Sequence, residues 1–420
     1  MVIGAGIAGL AAAADLVRGG AQVTVLEARD RIGGRIHTSP AWPDLPMDLG
    51  ASWIHGLDGN PVTDLARAAG ASWVTTSYDS TRTTIAPQLV ALGARDAGTT
   101  WAERLFERAM ARAGELEADV SVQAALDAVA PPGSLDPVRQ TQLDHYVNAT
   151  YEQEYAGPAS ALSAWHVDDG EAYGGGDGLF PKGYGQLTAH LARGLDVRLG
   201  QVVQAVRWGR PPVRVELADG SVLEADQLVV TVPLGVLKAG GIRFDPPLPA
   251  PKRRAIERLG MGLLNKLWLR FDRVFWPAGF DWHEHLTPTK GDWAQWVSLA
   301  KVDATPVLVA FTAADHAEAV ERLDDRAILA AAMARAREMW GQAIPDPVAW
   351  QITRWRADPF ARGAYSFNAA GSSGADRDAL AAPERGRLFF AGEATSAAYF
   401  GTVHGALISG RTAAARVLAS

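Results

Sequence analysis

Cysteine is absent from this 420-residue chain. Disulfides and thiolate metal sites are therefore excluded, and cysteine usage leaves the redox compartment open. No apolar run approaches the roughly 20 residues that a membrane-spanning helix requires, so no membrane partner is expected. A basic surplus is missing too. Lys+Arg number 40 against 47 Asp+Glu, a net charge of −7, which argues against nucleic acid and mildly favours cationic small molecules. Internal repeats, low-complexity linkers, metal-ligand clusters and a hydrolase triad are all wanting. No leader precedes the first apolar strand, which points to a cytoplasmic protein; that strand is short enough for the numbering to begin inside a longer chain.

What is present is ordinary in bulk: 48% hydrophobic and 21% charged residues, enough for a large core and two domains. The opening stretch is not ordinary. Met1-Val2-Ile3 reads as a strand, Gly4-Ala5-Gly6-Ile7-Ala8-Gly9 as a tight turn, and Leu10 to about Val17 as an alanine-rich helix. A second strand, Gln22 to Leu26, ends in Glu27. This is G-x-G-x-x-G between strand and helix, with an acid about twenty residues on. Gly4 permits the turn, Gly6 lets the backbone approach a pyrophosphate, and Gly9 lets helix and strand pack. The helix N-terminus offers amides and a positive dipole end to the phosphates. Glu27 is placed to accept hydrogen bonds from both ribose hydroxyls. A dinucleotide-binding α/β fold follows. Directly after Glu27, Arg29-Asp30-Arg31-Ile32-Gly33-Gly34-Arg35 sets arginines around a flexible glycine pair, so Arg35 can fold onto a pyrophosphate and bind it bidentately.

Further along, helical spacing covers 62–69 after Asn60-Pro61. Residues 101–118 read as an amphipathic helix with Trp101, Leu105, Ala109 and Ala113 on one stripe. Between Tyr151 and Pro181 lie Glu152, Glu154, Asp168, Asp169, Glu171 and Asp177 with no lysine or arginine; this run is either a solvated loop or an acidic funnel for a cation. Short strands are expected at 197–199, 201–208, 213–217 and 228–232. Residues 263–275 alternate about Lys266 as a strand would, and Asp324-Asp325 opens a helix to about Trp340 with acids in its first turn. The chain closes with a strand, a Gly392-Glu393 turn and a small-residue helix from about Val403.

The R-x-G-G-R run resembles FAD oxidoreductases of the amine oxidase type. GASWIHGLDGNP (50–61), LLNKLWLRFDRVFW (263–276), ARGAYSFNAAGSSGAD (361–376) and LFFAGEATSAAYFGTVHGALISG (388–410) look like the flavin-containing polyamine oxidases, nearest to the spermine oxidase and N1-acetylpolyamine oxidase type. The resemblance runs through the whole chain in order, most loosely over 76–150. It implies a discontinuous Rossmann-like FAD-binding domain (1–75, 180–255 and 365–420) and an α+β substrate-binding domain (76–179 and 256–364).

The resemblance also assigns residues. Lys266 falls where the family holds a water next to flavin N5; a lysine amid an apolar strand is costly without partners. Tyr365 falls on the aromatic wall beside the substrate amine, and His55 on a histidine lining the spermine-type site. The cofactor set is Gly4, Gly6, Gly9, Glu27, Arg29, Gly34, Arg35, Trp53, Val203, Gly392, Glu393, Thr402 and Val403. Thr402, Phe400 and Glu154 are expected at the substrate. Ala364 stands where monoamine oxidases carry their flavin-linking cysteine, so FAD should be noncovalent. Thr402 replaces the second aromatic of monoamine oxidases, and Gly401 a serine of spermine-type enzymes, which leaves substrate identity open.

The implied reaction takes a hydride to flavin N5 from the carbon α to a neutral amine; the iminium hydrolyses to an aldehyde and a shorter amine, and O2 is reduced to H2O2. A monoamine, putrescine, an amino acid or a methyl-lysine are the alternative substrates, and a flavoprotein without oxidase activity the alternative class.

Overall fold

The computed structural model describes residues 1–302 and 304–420. Its organising element is a five-stranded, wholly parallel sheet in the order Leu388–Phe390, Leu228–Val230, Val2–Ile3, Thr24–Leu26, Asp196–Arg198. Parallel strands are covered on both faces, so they read as continuous apolar runs. Alternation then decides which neighbour each side chain meets. Val2, Val25, Val229 and Phe389 pack into one core with the helices Ile7–Arg18 and Val403–Leu418. Ile3, Leu26, Leu228, Val230, Leu388 and Phe390 face the opposite core with Val203, Val206, Val213 and Val215. Those last residues belong to a second sheet, Val222–Ala225, Val213–Leu217, Val203–Arg207, Arg243–Asp245. The fold is therefore α/β, with helices on one face of the parallel sheet and a smaller sheet on the other. The chain leaves this layer and returns to it three times, at 196–198, 228–230 and 388–390.

The intervening segments build a six-stranded sheet in the order Ala349–Ile352, Leu264–Arg270, Val307–Ala313, Gln295–Ser298, Trp282–Leu286, Thr81–Ile85. One face, carrying Leu267, Leu269, Trp296, Leu308 and Ala310, is covered by the helix Asp325–Trp340 through Ile328, Ala332, Met333 and Ala336. Asp324 caps that helix by accepting from the Ala327 amide at 2.9 Å. The other face carries Lys266, Trp268, Trp282, Val297, Val309 and Phe311 toward the parallel-sheet layer. A helical group, Thr99–Ala113, Val122–Val129 and Pro137–Val147, packs beside it. It runs through a π-helical turn, Asn148–Glu152, into Gln153–Tyr155. Such a turn re-aims side chains and is frequent at functional sites.

Several element readings are corrected. The amphipathic helix spans Thr99–Ala113, not 101–118, because it stops at Gly114. The strand about Lys266 ends at Arg270 rather than 275; beyond it Phe271, Phe275 and Trp276 turn edge-to-face on one another instead of pairing. The strand at 228 ends at Val230.

Candidate active site

A single cavity of about 750 Å³ runs from the first glycine turn to the inward face of the six-stranded sheet. At the glycine end, Gly4 has φ +102° and a Cβ on Gly9 would lie 1.9 Å from the Gly4 carbonyl oxygen, so neither position admits a side chain. Gly6 differs: a Cβ there would meet only the Gly33 oxygen at 4.0 Å, so its open side faces the cavity. The helix Ile7–Arg18 has neither a side-chain cap nor a first-turn acid, which leaves its leading amides for a ligand. Glu27 is buried, and its two oxygens accept from the Ala5 amide (2.7 Å) and the Arg29 amide (2.9 Å). Each oxygen retains a lone pair for a ribose hydroxyl. These residues fit the adenosine diphosphate end of FAD, and Val203 lines the same end.

The two arginines behave differently. Arg29 lines the cavity but makes a bidentate pair with Asp358 (2.8 and 2.8 Å) over the Phe360 ring. Its charge is thus held by protein. Arg35 reaches across Gly34 to Glu393 (3.0 Å) and the Ala364 carbonyl (2.7 Å) through one guanidinium nitrogen. Glu393, following Gly392 (φ +134°), also accepts from Ser366 Oγ (2.6 Å) and the Gly401 amide (2.9 Å). Burial works to raise its pKa, but Arg35, Ser366 and Arg377 together hold it below the usual carboxylate value. Thr402 caps the final helix, accepting from the Gly405 amide (2.9 Å) and donating to the Tyr399 carbonyl (2.8 Å). Its single proton is therefore committed to the cap. Val403 follows it on the cavity wall.

At the other end stands Lys266. Its Nζ donates to the Gly50 carbonyl (2.5 Å), Ser52 Oγ (2.6 Å) and, longer, the Asp48 carbonyl (3.4 Å). Trp53, Trp268 and Phe311 surround it, with ring centroids 5.3, 5.8 and 5.9 Å from Nζ. Desolvation in this aromatic box pushes its pKa down to about 7, against the pull of Asp48. Trp53 and Phe311 each stack on Trp282, and Tyr78 stacks on Trp282 at 4.6 Å. Tyr365 lines the cavity with its hydroxyl donating to the Gln153 carbonyl (2.7 Å), and burial drives its pKa up. Phe400 is seated under the buried Arg377 guanidinium, 4.1 Å from its centroid.

His55 contacts Asp177 at 3.2 Å and keeps half of its side-chain surface open. Desolvation opposes its protonation, but the Asp177 hydrogen bond and the Glu154 charge prevail and raise its pKa. The acidic run divides. Glu154 lines the cavity and Glu152 is buried on Lys290 (2.7 Å), whereas the exposed Asp168, Asp169 and Glu171 pair with the Tyr155 hydroxyl, His166 and Tyr399. Residues 168–172 are exposed, as a solvated loop would be, and of the run's acids Glu154 alone lines the cavity, so the run is no continuous funnel.

The structure adds cavity residues that sequence reasoning missed. His404 lines the wall, and burial pushes its pKa down to about 4. Glu284 and Gln295 line it from neighbouring strands. Strand alternation puts Trp282 and Glu284 on one face, but nothing in the sequence says which face is inward.

The family described as flavin containing amine oxidoreductase matches residues 7–418. Over 98% of this chain, it is 35% identical to "Probable polyamine oxidase 4" of Arabidopsis thaliana, covering 85% of that protein. It is 37% identical to "Lysine-specific histone demethylase 1 homolog 3" of Oryza sativa subsp. indica over 99% of this chain. The chain spans about half (53%) of that relative's length. Among solved structures, a wild-type putrescine oxidase bound to putrescine superposes with TM-score 0.79 over 100% of this chain and 98% of its own, at 21% identity. That likeness is one of fold.

Proposed function

The chain belongs to the flavin containing amine oxidoreductase family, with FAD as its cofactor, and we propose that it oxidises a polyamine at a carbon α to nitrogen. The observation that carries this reading is the single cavity joining the Gly4–Gly9 turn and Glu27 to Lys266, with Tyr365, Phe400 and Glu154 on its walls. Bound there, FAD would supply a two-electron acceptor for the α-carbon hydride, with O2 as the final oxidant, reduced to H2O2. The oxidised substrate adds water and separates into an aldehyde and a shorter amine.

Everything else falls to the protein. Gly6, the first helix amides and Glu27 would hold the adenosine diphosphate half; Arg35, Glu393 and the start of the last helix would hold the other. Arg29 acts through Asp358, bracing the wall. Trp53, Trp282, Phe311, Tyr365 and Phe400 make an apolar, electron-rich channel. Desolvation there favours the neutral form of the reacting amine, while aromatic faces and Glu154 receive nitrogens that stay charged. Lys266, near neutrality in charge, holds a water at the reacting end. His55, its imidazole fixed by Asp177, orients the amine. FAD binds without a covalent link, since Ala364 has no nucleophile and the chain has no cysteine. We assign these tasks to an FAD-binding part (1–75, 180–255, 365–420) and a substrate-binding part (76–179, 256–364), with His55, Tyr365 and Phe400 reaching the substrate from the first.

The test is an anaerobic visible spectrum before and after spermine. Bleaching of the flavin bands, with H2O2 formed once air is admitted, supports the reading. A flavin that no amine bleaches overturns it. The demethylase-type relative favours a second reading, a methylated lysine side chain as the amine, and the same titration with a dimethyl-lysine peptide separates the two.

A further inference from the structure

Register across the six-stranded sheet places four cavity residues in one row. Lys266 is opposite Phe311, Phe311 is opposite Gln295, and Gln295 is opposite Glu284. Directly paired residues share a face, and all four line the same cavity. The row steps across three strand spacings, about 14 Å from the Lys266 backbone to that of Glu284. Between the ends lie Phe311 and Gln295, and beside the row Trp282, two residues from Glu284 on the same strand, stacks on Phe311 at 5.9 Å and on Tyr78. The channel floor thus begins at a lysine, passes over aromatic rings and ends at a carboxylate.

That carboxylate is held as an acceptor. Gln295 Nε2 donates to Oε1 (3.0 Å), Thr83 Oγ1 to Oε2 (3.3 Å), and His145 Nε2 lies 3.4 Å from Oε2. Burial works to raise its pKa, but His145, Gln295 and Thr83 outweigh it and keep the carboxylate ionised. A carboxylate offers about four lone-pair sites, so these three contacts leave one, and 21% of the side-chain surface remains open. If Glu284 served only to tie the strand Trp282–Leu286 to its neighbours, a neutral side chain would do so without the cost of a buried charge.

We propose that Glu284 is the far subsite of the channel, binding the distal ammonium of a tri- or tetra-amine whose reacting nitrogen lies at the Lys266 end. The proposal rests on the amine oxidase reading above and adds a length requirement to it. A four-carbon diamine has five bonds of about 1.5 Å between its nitrogens and spans at most about 7.5 Å, half the row. Spermidine and spermine are long enough to approach Glu284; putrescine is not. Glu154, by contrast, acts near His55 and Tyr365, whose pKa values it raises, and so serves an inner nitrogen.

The experiment uses the holoenzyme reduced with dithionite under anaerobic conditions, so that amines bind without turnover, and reads spermine, putrescine and butylamine binding by calorimetry. Glu284→Gln is expected to raise the spermine Kd about tenfold or more, the loss expected for a hydrogen bond to a charged group, with putrescine and butylamine unchanged. Unchanged spermine binding overturns the subsite, and so does equal weakening of putrescine, which would mean a general charge effect. Should E284Q fail to retain FAD, the unmodified enzyme decides: affinity must rise from putrescine to spermine by that same factor, and equal affinities overturn the proposal. Flavin bleached by butylamine in an enzyme that does not bind spermine removes the subsite and leaves an amine oxidase. Glu284-dependent spermine binding with no bleaching by any amine does the reverse.

Discussion

Lys266 and Asp48 are buried together without forming an ion pair. The lysine approaches the Asp48 backbone carbonyl (3.4 Å), while the Asp48 carboxylate accepts from Thr38 Oγ1 (2.5 Å) and the Tyr184 amide (2.9 and 3.0 Å). Desolvation consequently moves both groups toward neutrality: Asp48 is raised to about 6 and Lys266 lowered to about 7. With a value of about 7 the Lys266 amine is near half protonation at neutral pH, so its charge is poised to change at this end of the cavity.

Lys266→Met should slow flavin reduction by amine, or reoxidation by O2, while FAD stays bound, because the glycine turn and Glu27 lie at the other end of the cavity. Stopped-flow traces of the two half-reactions check this, and unchanged rates in both would remove Lys266 from the chemistry. The unmodified enzyme should also show an inflection near neutral pH that the variant lacks.

The same lysine makes stability depend on pH in a defined direction. Between about 7 and its ordinary 10.5, the unfolded chain binds a proton at this position that the folded chain does not. Stability contributed by Lys266 therefore increases as pH rises through that window. Melting curves at pH 8 and 10 should show the unmodified protein gaining on Lys266→Met at the higher pH; a gap that closes instead contradicts the buried neutral lysine.

Glu27→Ala should weaken FAD retention. It removes the ribose acceptors and also strands the Ala5 and Arg29 amides, at about 1–3 kcal/mol for each buried donor left unpaired. The measure is the flavin-to-protein absorbance ratio after purification, and a full complement of FAD would contradict the assignment.

Arg377 is fully buried, donates to Asn368 Oδ1 (2.9 Å) and Ser366 Oγ (2.8 Å), and covers the Phe400 ring. Burial lowers its pKa to about 10, so it remains a cation at neutral pH. Arg377→Met should cost about 3 kcal/mol or more through the acceptors it leaves unpaired. It should also raise the KM for spermine as Phe400 loses its support. An unchanged melting temperature would show that the guanidinium is not what anchors this wall.

Much of this was legible in the sequence where the signal is local. The Gly4–Gly9 turn, its flanking strand and helix, Glu27, and the Asp324 cap act through backbone geometry over a few residues, so their spelling announces them. Lys266 announced itself as a misfit, a charge in an apolar strand. Its partners did not: Gly50 and Ser52 lie 216 and 214 residues away. Nor did the Arg29–Asp358 pair, 329 residues apart, which ties to protein a guanidinium that the family resemblance had assigned to the cofactor. The row from Lys266 to Glu284 depends on strand register, and a one-residue slip would turn Glu284 to the opposite face. Chain order determined the cofactor turn and the family of the fold. Which carboxylates face the substrate was decided only when distant strands paired, because register and burial are properties of the packed sheet and not of any one segment.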